Sequence, residues 1–376
     1  MSAEPARPNV LLVRGLEGQP APRELERLAA AGERPRAIPV AVARALDADV
    51  LDLNFVLDRG ATLSRAVARR GGILEGQVVE AFLRRRRYGT IVAFADRLGL
   101  ELALVCKLTR SRRDLVLVSS RLVGSSSKRF FLGRARVQSH IREIISYSSV
   151  QLELGAEQYE LPRERLHALL QPVDERFWRP QNTPVDDLVC SVGSVEGYRD
   201  YPTLFAAVRD LPVQVELAVG SFISSPKHRG ERARRFDAAL AADPAPPNVR
   251  YRLEVPYLEL RDLYARSRFV VMPLKEADFD AGVTSITEAM AMGKAVIATR
   301  IRGQVDVLHD GVEGLYVPAG DASALREAID HLQRHPNEAA RMGAAGRAAV
   351  LARHRLDDFA RAIAEISLGQ PDPNVD

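Results

Sequence analysis

Residues 278–299 read DFDAGVTSITEAMAMGKAVIAT, from Asp278 to Thr299. The stretch sets two carboxylates, Asp280 and Glu288, eight positions apart across a loop that feeds a helix. Between them stand Gly282, Val283, Thr284 and Ser285, where exposed backbone N–H groups are expected to gather. The first turn of a helix leaves its N–H donors unpaired and carries roughly half a positive charge, so it holds phosphate well. A carboxylate one turn further in faces the same way and accepts hydrogen bonds from sugar hydroxyls. The local chemistry suits a sugar joined to a phosphate. A helical stripe of Ile286, Ala289 and Met290 running into a buried strand would also serve any α/β protein, so the flanking sequence has to decide.

Outward from this segment, strand-like apolar runs alternate with helical patterns along all 376 residues, which predicts parallel sheets covered by helices. In the first half strands are expected over 9–13, 50–53, 90–95, 115–118 and 144–147, with helices over 74–87 and 98–108. In the second half they are expected over 188–192, 213–219, 249–253, 269–272, 295–298 and 314–317. Helices over 202–209, 231–242, 258–265, 322–333 and 336–353 fall between and after them. The chain is too long for one ordinary core, and the alternation breaks over 161–184, where prolines and polar residues collect. The predicted division is a domain over 1–170, a linker over 171–184 and a second domain over 185–354. A final helix and tail follow over 355–376, and its amphipathic stretch 356–366 is expected to cross back onto the first domain. The fold class is α/β: two Rossmann-like, doubly wound parallel-sheet domains facing each other across a cleft, with ligands beyond the carboxyl ends of the strands.

Composition narrows the function classes. Cys106 and Cys190 lie far apart without metal-ligand spacing, as expected of two buried thiols in a reducing compartment. The apolar run in MSAEPARPNVLLV is too short for a signal peptide, and no segment approaches the ~20 apolar residues of a membrane span. A cytoplasmic protein is expected. Net charge is only +4, with lysine at just 107, 128, 227, 275 and 294. Arginine-rich clusters at 84–87, at 110, 112 and 113, and at 128, 129, 134 and 136 read first as solvated helix faces. Peripheral contact with the anionic inner face of a membrane is their other use. No aromatic residues interleave with them as in a single-strand nucleic-acid groove, so nucleic acid is not an expected partner. Neither half carries a Gly-x-Gly-x-x-Gly turn with an acidic residue about 20 positions on, which argues against a dinucleotide-dependent oxidoreductase.

Glu288-Ala289-Met290-Ala291-Met292-Gly293-Lys294-Ala295-Val296-Ile297 resembles the donor-binding motif of retaining GT-B glycosyltransferases, the glycosyltransferase family 4 group (glycosyl transferases group 1). In that family a Glu, seven residues and a second Glu precede Ala-Met-Ala-x-Gly-x-Pro-Val-Ile. Here Asp280, one methylene shorter, stands at the first Glu. Val173-Asp174-Glu175-Arg176-Phe177-Trp178-Arg179-Pro180 is similar to the family's interdomain Val-Asp-x-x-x-Phe-x-Pro. Asp310-Gly311-Val312-Glu313-Gly314 through Asp321 matches its Asp-Gly-x-x-Gly turn, where Asp321 serves as a helix cap.

The second domain opens with Val192-Gly193-Ser194, where the family places Val-Gly-Arg, and Arg199 takes the position of a diphosphate-clamping Lys. The Arg-Asp-Tyr-Pro-Thr-Leu run from Arg199 to Leu204 occurs in a subset of the family. With Ser194 in place of the Arg, Lys275 and Arg302 are the nearest candidates for a second cation. Leu253, at the end of a strand, flanks the nucleotide base by resemblance. In the first domain Arg14-Gly15-Leu16-Glu17-Gly18 follows the first strand, so Gly15 is the implied contact to donor and acceptor. Relatives place a His after the fourth N-terminal strand; here Ser120 takes that position, and His140 lies in another element.

The resemblance implies transfer of a sugar from a nucleoside diphosphate, with retention of configuration and without a metal or cofactor. UDP-sugar is expected ahead of GDP-sugar, and the acceptor is a small molecule, a saccharide or a lipid-linked group. The implied catalytic set is Asp280, Glu288 and Arg199. Donor contacts are Gly15, Gly193, Ser194, Arg199, Leu253, Gly282, Val283, Thr284, Ser285 and Glu288. Glu288 would take ribose hydroxyls and Asp280 the hexose. A GT-B-like nucleotide-sugar-binding or partner protein without catalysis is the alternative, suggested by Ser194, Ser120 and Asp280.

Overall fold

The computed structural model describes residues 9–14, 20–111, 114–194, 198–220, 234, 236, 238 and 244–369. Gly15 and Gly18, and most of the helix expected over 231–242, lie outside the described residues. The chain divides into two compact units. One comprises 1–26, 37–169 and 357–376, and the other 27–36 and 170–356.

Each unit is built on a six-stranded, wholly parallel sheet. The first takes the order β2-β1-β3-β4-β5-β6, with β1 Val10–Arg14, β2 Asp49–Leu51, β3 Thr90–Phe94, β4 Asp114–Ser119, β5 Glu143–Ser146 and β6 Leu166–Ala168. The second takes the order β12-β11-β10-β7-β8-β9. Its strands are β7 Leu188–Gly193, β8 Gln214–Val219, β9 Val249–Leu253, β10 Phe269–Met272, β11 Ala295–Thr299 and β12 Gly314–Val317. Central strands such as β4, β7, β10 and β11 are buried at every position, because helices cover both faces. The edge strands β2, β6 and β9 expose residues.

On one face of the first sheet the Ile73–Arg84 and Asp96–Leu108 helices bury Val78, Leu100 and Ala103. On the other, the Ile38–Ala45 helix and the last helix, Leu356–Leu368, pack Val42, Phe359 and Ile363 against Val10, Leu12, Val92 and Val116. Arg142 holds that last helix in place: it pairs with Asp114 at 2.8 Å and donates to the Ser367 carbonyl at 2.5 Å. In the second unit the Tyr257–Arg266 and Val283–Ala291 helices cover one face of the sheet. The Tyr201–Val208 and Ala322–Arg334 helices cover the other.

Several elements differ from the expected ones for local reasons. The strand expected to run to 53 stops at Leu51, because Asp52 caps the Leu53–Arg59 helix by accepting the Phe55 N–H at 2.8 Å. The stretch read as a break at 161–184 contains β6, a three-residue edge strand paired with β5. Its sequence, Leu-His-Ala, carries no apolar period. Both cysteines are buried and outside any disulfide, and burial pushes the Cys190 thiol up to about 12. Among the described residues no helix is long and apolar enough to cross a membrane.

Candidate functional site

The strand order of the second sheet reverses at β7. From β7 the chain adds β8 and β9 to one side, then returns and adds β10, β11 and β12 to the other. Crossovers on opposite faces leave a crevice at the carboxyl ends of β7 and β10, where doubly wound sheets take ligands. The register lines up Gly193 with Val219 and Val219 with Leu253, so Gly193 and Leu253 share this edge.

The segment after β7 folds back onto the segment after β10. Lys275 N–H donates to the Tyr198 carbonyl and Asp200 N–H to the Pro273 carbonyl, both at 3.0 Å, so Arg199 pairs antiparallel with Leu274. Asp200 then caps the Tyr201–Val208 helix by accepting from the Thr203 N–H. This fixes Arg199 one residue outside a helix, with its side chain turned back over β7. Its Nε donates to the Val192 carbonyl at 3.3 Å. A Cβ on Gly193 would stand 2.0 Å from that Nε, and one on Gly282 would stand 3.1 Å from Nη1. Two glycines therefore make room for one guanidinium. Arg199 is half-buried and its pKa is lowered by desolvation. Among the described residues no carboxylate pairs with it. A cation withdrawn from water without a counter-ion is suited to an anionic ligand.

Beside it begins the Val283–Ala291 helix. Gly282 holds its N-cap position at φ 81°, and no side chain caps it. Asp52, Ser148, Asp200 and Asp321 cap their helices through side-chain oxygens. Val283 N–H reaches the Asp280 carbonyl, while Thr284 and Ser285 are first-turn residues whose N–H groups have no acceptor within the helix. The loop before the helix is held by Gln304, whose Nε2 donates to the Ala281 carbonyl at 2.8 Å. Tyr198 stacks edge-on against Phe279 with centroids 4.6 Å apart.

Both carboxylates of the opening stretch are buried, at 8 % exposure each. Glu288 meets the hydroxyl of Tyr264, which donates to its Oε2 at 3.2 Å. Desolvation raises its pKa to about 8, against the pull of that hydrogen bond. Asp280 is raised to about 6, again by burial, with a backbone hydrogen bond lowering it and Asp306 adding to the rise. Burial thus raises both carboxyls, Glu288 further than Asp280.

The structure brings Arg199, Gly193 and Gly282 into direct contact, and Glu288 is carried on the helix that starts there. Ser194 directly follows β7 and is half-buried. Lys275 is exposed, and the Arg302 guanidinium lies 3.7 Å from Asp278. Ser120 is exposed just past β4, while His140 closes a short turn in which its Nδ1 lies 3.0 Å from Ser139 Oγ. Tyr264 and Gln304 are the partners that sequence reasoning missed. A signal existed for Tyr264: it shares the helical stripe of Leu260 and Leu263, and a buried tyrosine hydroxyl demands a partner. In the arginine clusters, Arg84 pairs with Glu80, and Arg85 lies 3.6 Å over the Phe82 ring. Arg112 and Arg113 lie outside the described residues.

Two parallel six-stranded sheets, each covered by helices on both faces and joined in one chain, define the GT-B class of architecture. Residues 174–349 match the family model of glycosyl transferases group 1. HepE of Anabaena, solved in complex with UDP and glucose, superposes at TM-score 0.69 with 14% identity, covering 95% of this chain and 98% of that one. Sucrose-phosphate synthase of Thermosynechococcus elongatus superposes at TM-score 0.67 with 20% identity, covering 95% and 97%. In sequence the chain is similar to D-inositol 3-phosphate glycosyltransferase of Frankia alni, 27% identical over 208 residues, which is 51% of this chain and 50% of that protein. The chain thus spans about half the length of the curated relative it matches.

Proposed function

We propose that the protein is a retaining glycosyltransferase that takes its sugar from a nucleoside diphosphate, a UDP-sugar ahead of a GDP-sugar. The observation that carries this reading is Arg199, a half-buried guanidinium without a carboxylate partner among the described residues. It is set between Gly193 and Gly282 at the uncapped start of the helix that bears Glu288. Complexes of HepE with UDP and with UDP-glucose support the choice of donor.

In this reading Arg199 and the N–H groups of Thr284 and Ser285 take up the charge that develops on the diphosphate as the bond from the sugar anomeric carbon breaks. Val283 and Ser194 complete that wall. Glu288 holds ribose hydroxyls, Asp280 a hexose hydroxyl, and Leu253 flanks the base. The acceptor oxygen bonds to the anomeric carbon on the face the diphosphate leaves, and its proton passes to the departing phosphate oxygen. Configuration is retained, and no divalent metal is required because the cation and the helix end neutralise the leaving group. Acceptor recognition is assigned to the first unit.

The test is donor hydrolysis and UDP binding by the purified chain, with and without EDTA. Slow UDP-sugar hydrolysis that survives EDTA and is lost in Arg199→Ala and Glu288→Ala is the expected result. Unchanged hydrolysis in both variants overturns the site, and donor binding without any turnover leaves a pure binder.

A further inference from the structure

The corner between the last two helices of the second unit brings together three side chains that the transfer reaction does not use. The Ala322–Arg334 helix ends on His335, whose backbone leaves the helical region at φ −118° and ψ 65°, and Pro336 starts the Pro336–Arg353 helix. His331 lies one turn before that corner and Glu338 three residues after it. The imidazoles of His331 and His335 stand with centroids 4.4 Å apart. His335 Nδ1 lies 2.7 Å from the His331 carbonyl oxygen. A carbonyl can only accept, so Nδ1 carries the proton and the neutral ring keeps its lone pair on Nε2. Glu338 Oε2 lies 2.8 Å from His331 Nε2. One donor atom from each of the three residues falls within 4.8 Å of the others.

We propose that His331, His335 and Glu338 form a binding site for a borderline divalent transition-metal ion of the Zn2+ type. Two imidazoles and one carboxylate are the donor set such an ion prefers, whereas Mg2+ and Ca2+ take oxygen. Ligand atoms on a tetrahedral Zn2+ stand about 3.4 Å apart, so the widest of the three spacings, within 4.8 Å, needs to close by roughly an ångström while the 2.8 Å His331–Glu338 contact opens. Their exposure lets them: His331 and His335 are exposed, and Glu338 is half-exposed. The carbonyl that holds His335 Nδ1 is the outer-shell partner metal-bound histidines usually have, and it sets the tautomer before an ion arrives. An ion here leaves a fourth position to water and ties the end of one helix to the start of the next. An ion pair between His331 and Glu338 is what the corner does without metal; it makes no use of the Nε2 left free on His335.

This inference does not rest on the transferase reading, and its test needs no activity. The full untagged chain, stripped with EDTA, is titrated with ZnCl2 by calorimetry at pH 7.5. One ion per chain is expected, bound at least about tenfold more weakly by His331→Ala and by His335→Ala, and several-fold more weakly by Glu338→Gln. Affinity should fall at pH 5, where protons compete for the imidazoles. Millimolar Mg2+ should not compete. His309→Ala, at a second His–carboxylate pair, is the control and should bind as the parent does. Circular dichroism of each metal-free variant checks that it is folded. No saturable binding by the parent, unchanged affinity in the folded His331→Ala/His335→Ala double variant, or displacement by Mg2+ overturns the proposal.

Discussion

The hydroxyl of Tyr264 donates to the carboxyl of Glu288 at 3.2 Å and lies 3.4 Å from the Ser285 carbonyl, so one buried phenol braces the first two turns of the Val283–Ala291 helix. Tyr264 is fully buried, and burial, followed by the nearby Glu288 charge, raises its own pKa well above the ordinary phenol value. Tyr264→Phe should keep the fold at a cost of about 1 kcal/mol, the net worth of one hydrogen bond. It should also raise the Glu288 pKa further, because the lost bond favours the ionised form. Urea unfolding and the pH dependence of UDP binding measure the two effects. An unchanged pH profile would mean that the hydroxyl does not act on Glu288.

Burial of Asp280 and Glu288 makes stability depend on pH with a definite sign. Both pKa values are raised in the folded chain. The stability each contributes is fully present below its unfolded value, about 4, and is lost as pH rises through about 6 for Asp280 and about 8 for Glu288. Glu288→Gln should remove the upper part of that loss. Its gain over the parent should be on the order of a few kcal/mol at pH 9 and near nothing at pH 4. Denaturant unfolding at the two pH values decides it, and a variant as pH-sensitive as the parent would show that Glu288 is not the titrating group.

Gly193 offers a test of Arg199 that leaves Arg199 itself intact. A Cβ at 193 would meet the guanidinium stem at 2.0 Å from Nε, and a side chain moves more readily than backbone. Gly193→Ala should therefore cost little stability and lower UDP affinity about as much as Arg199→Ala, by roughly 10- to 100-fold. Parent-like UDP affinity in Gly193→Ala would separate the guanidinium from the phosphate.

Gly343 should behave in the opposite way. In the Pro336–Arg353 helix it faces the turn after the Val283–Ala291 helix, and an added Cβ would stand 2.1 Å from the Gly293 carbonyl oxygen. Backbone on both sides has to part, so Gly343→Ala should lose about 2–3 kcal/mol or more despite its better helix propensity. Thermal unfolding gives the answer directly. Stabilisation would mean that the two helices are less tightly packed than the glycine contact implies.

Most of the fold was legible because the central strands announce themselves. Runs such as Leu115 to Val118 and Phe269 to Met272 are apolar at every position, which only a strand buried on both faces needs. The edge strand β6 escaped for the converse reason, since half-exposed Leu166 and His167 carry no period. Around the site, Asp280 and Glu288 were visible as residues because the spacing from loop to helix is local. Their raised pKa values were not, because desolvation is set by what other elements bring against them.

The amino-acid sequence by itself determined the alternation of strand and helix and the glycine that opens the Val283–Ala291 helix. Both follow from periodicity and backbone sterics within a few residues. Only the tertiary structure decided that Arg199 rests on Gly193 and Gly282 and that Tyr264 braces Glu288. It also decided that Gly193 and Leu253 share one sheet edge. Apart from the near neighbours Gly193 and Arg199, those residues lie tens of positions apart, and strand order and register bring them together. Neither leaves a local trace in the chain.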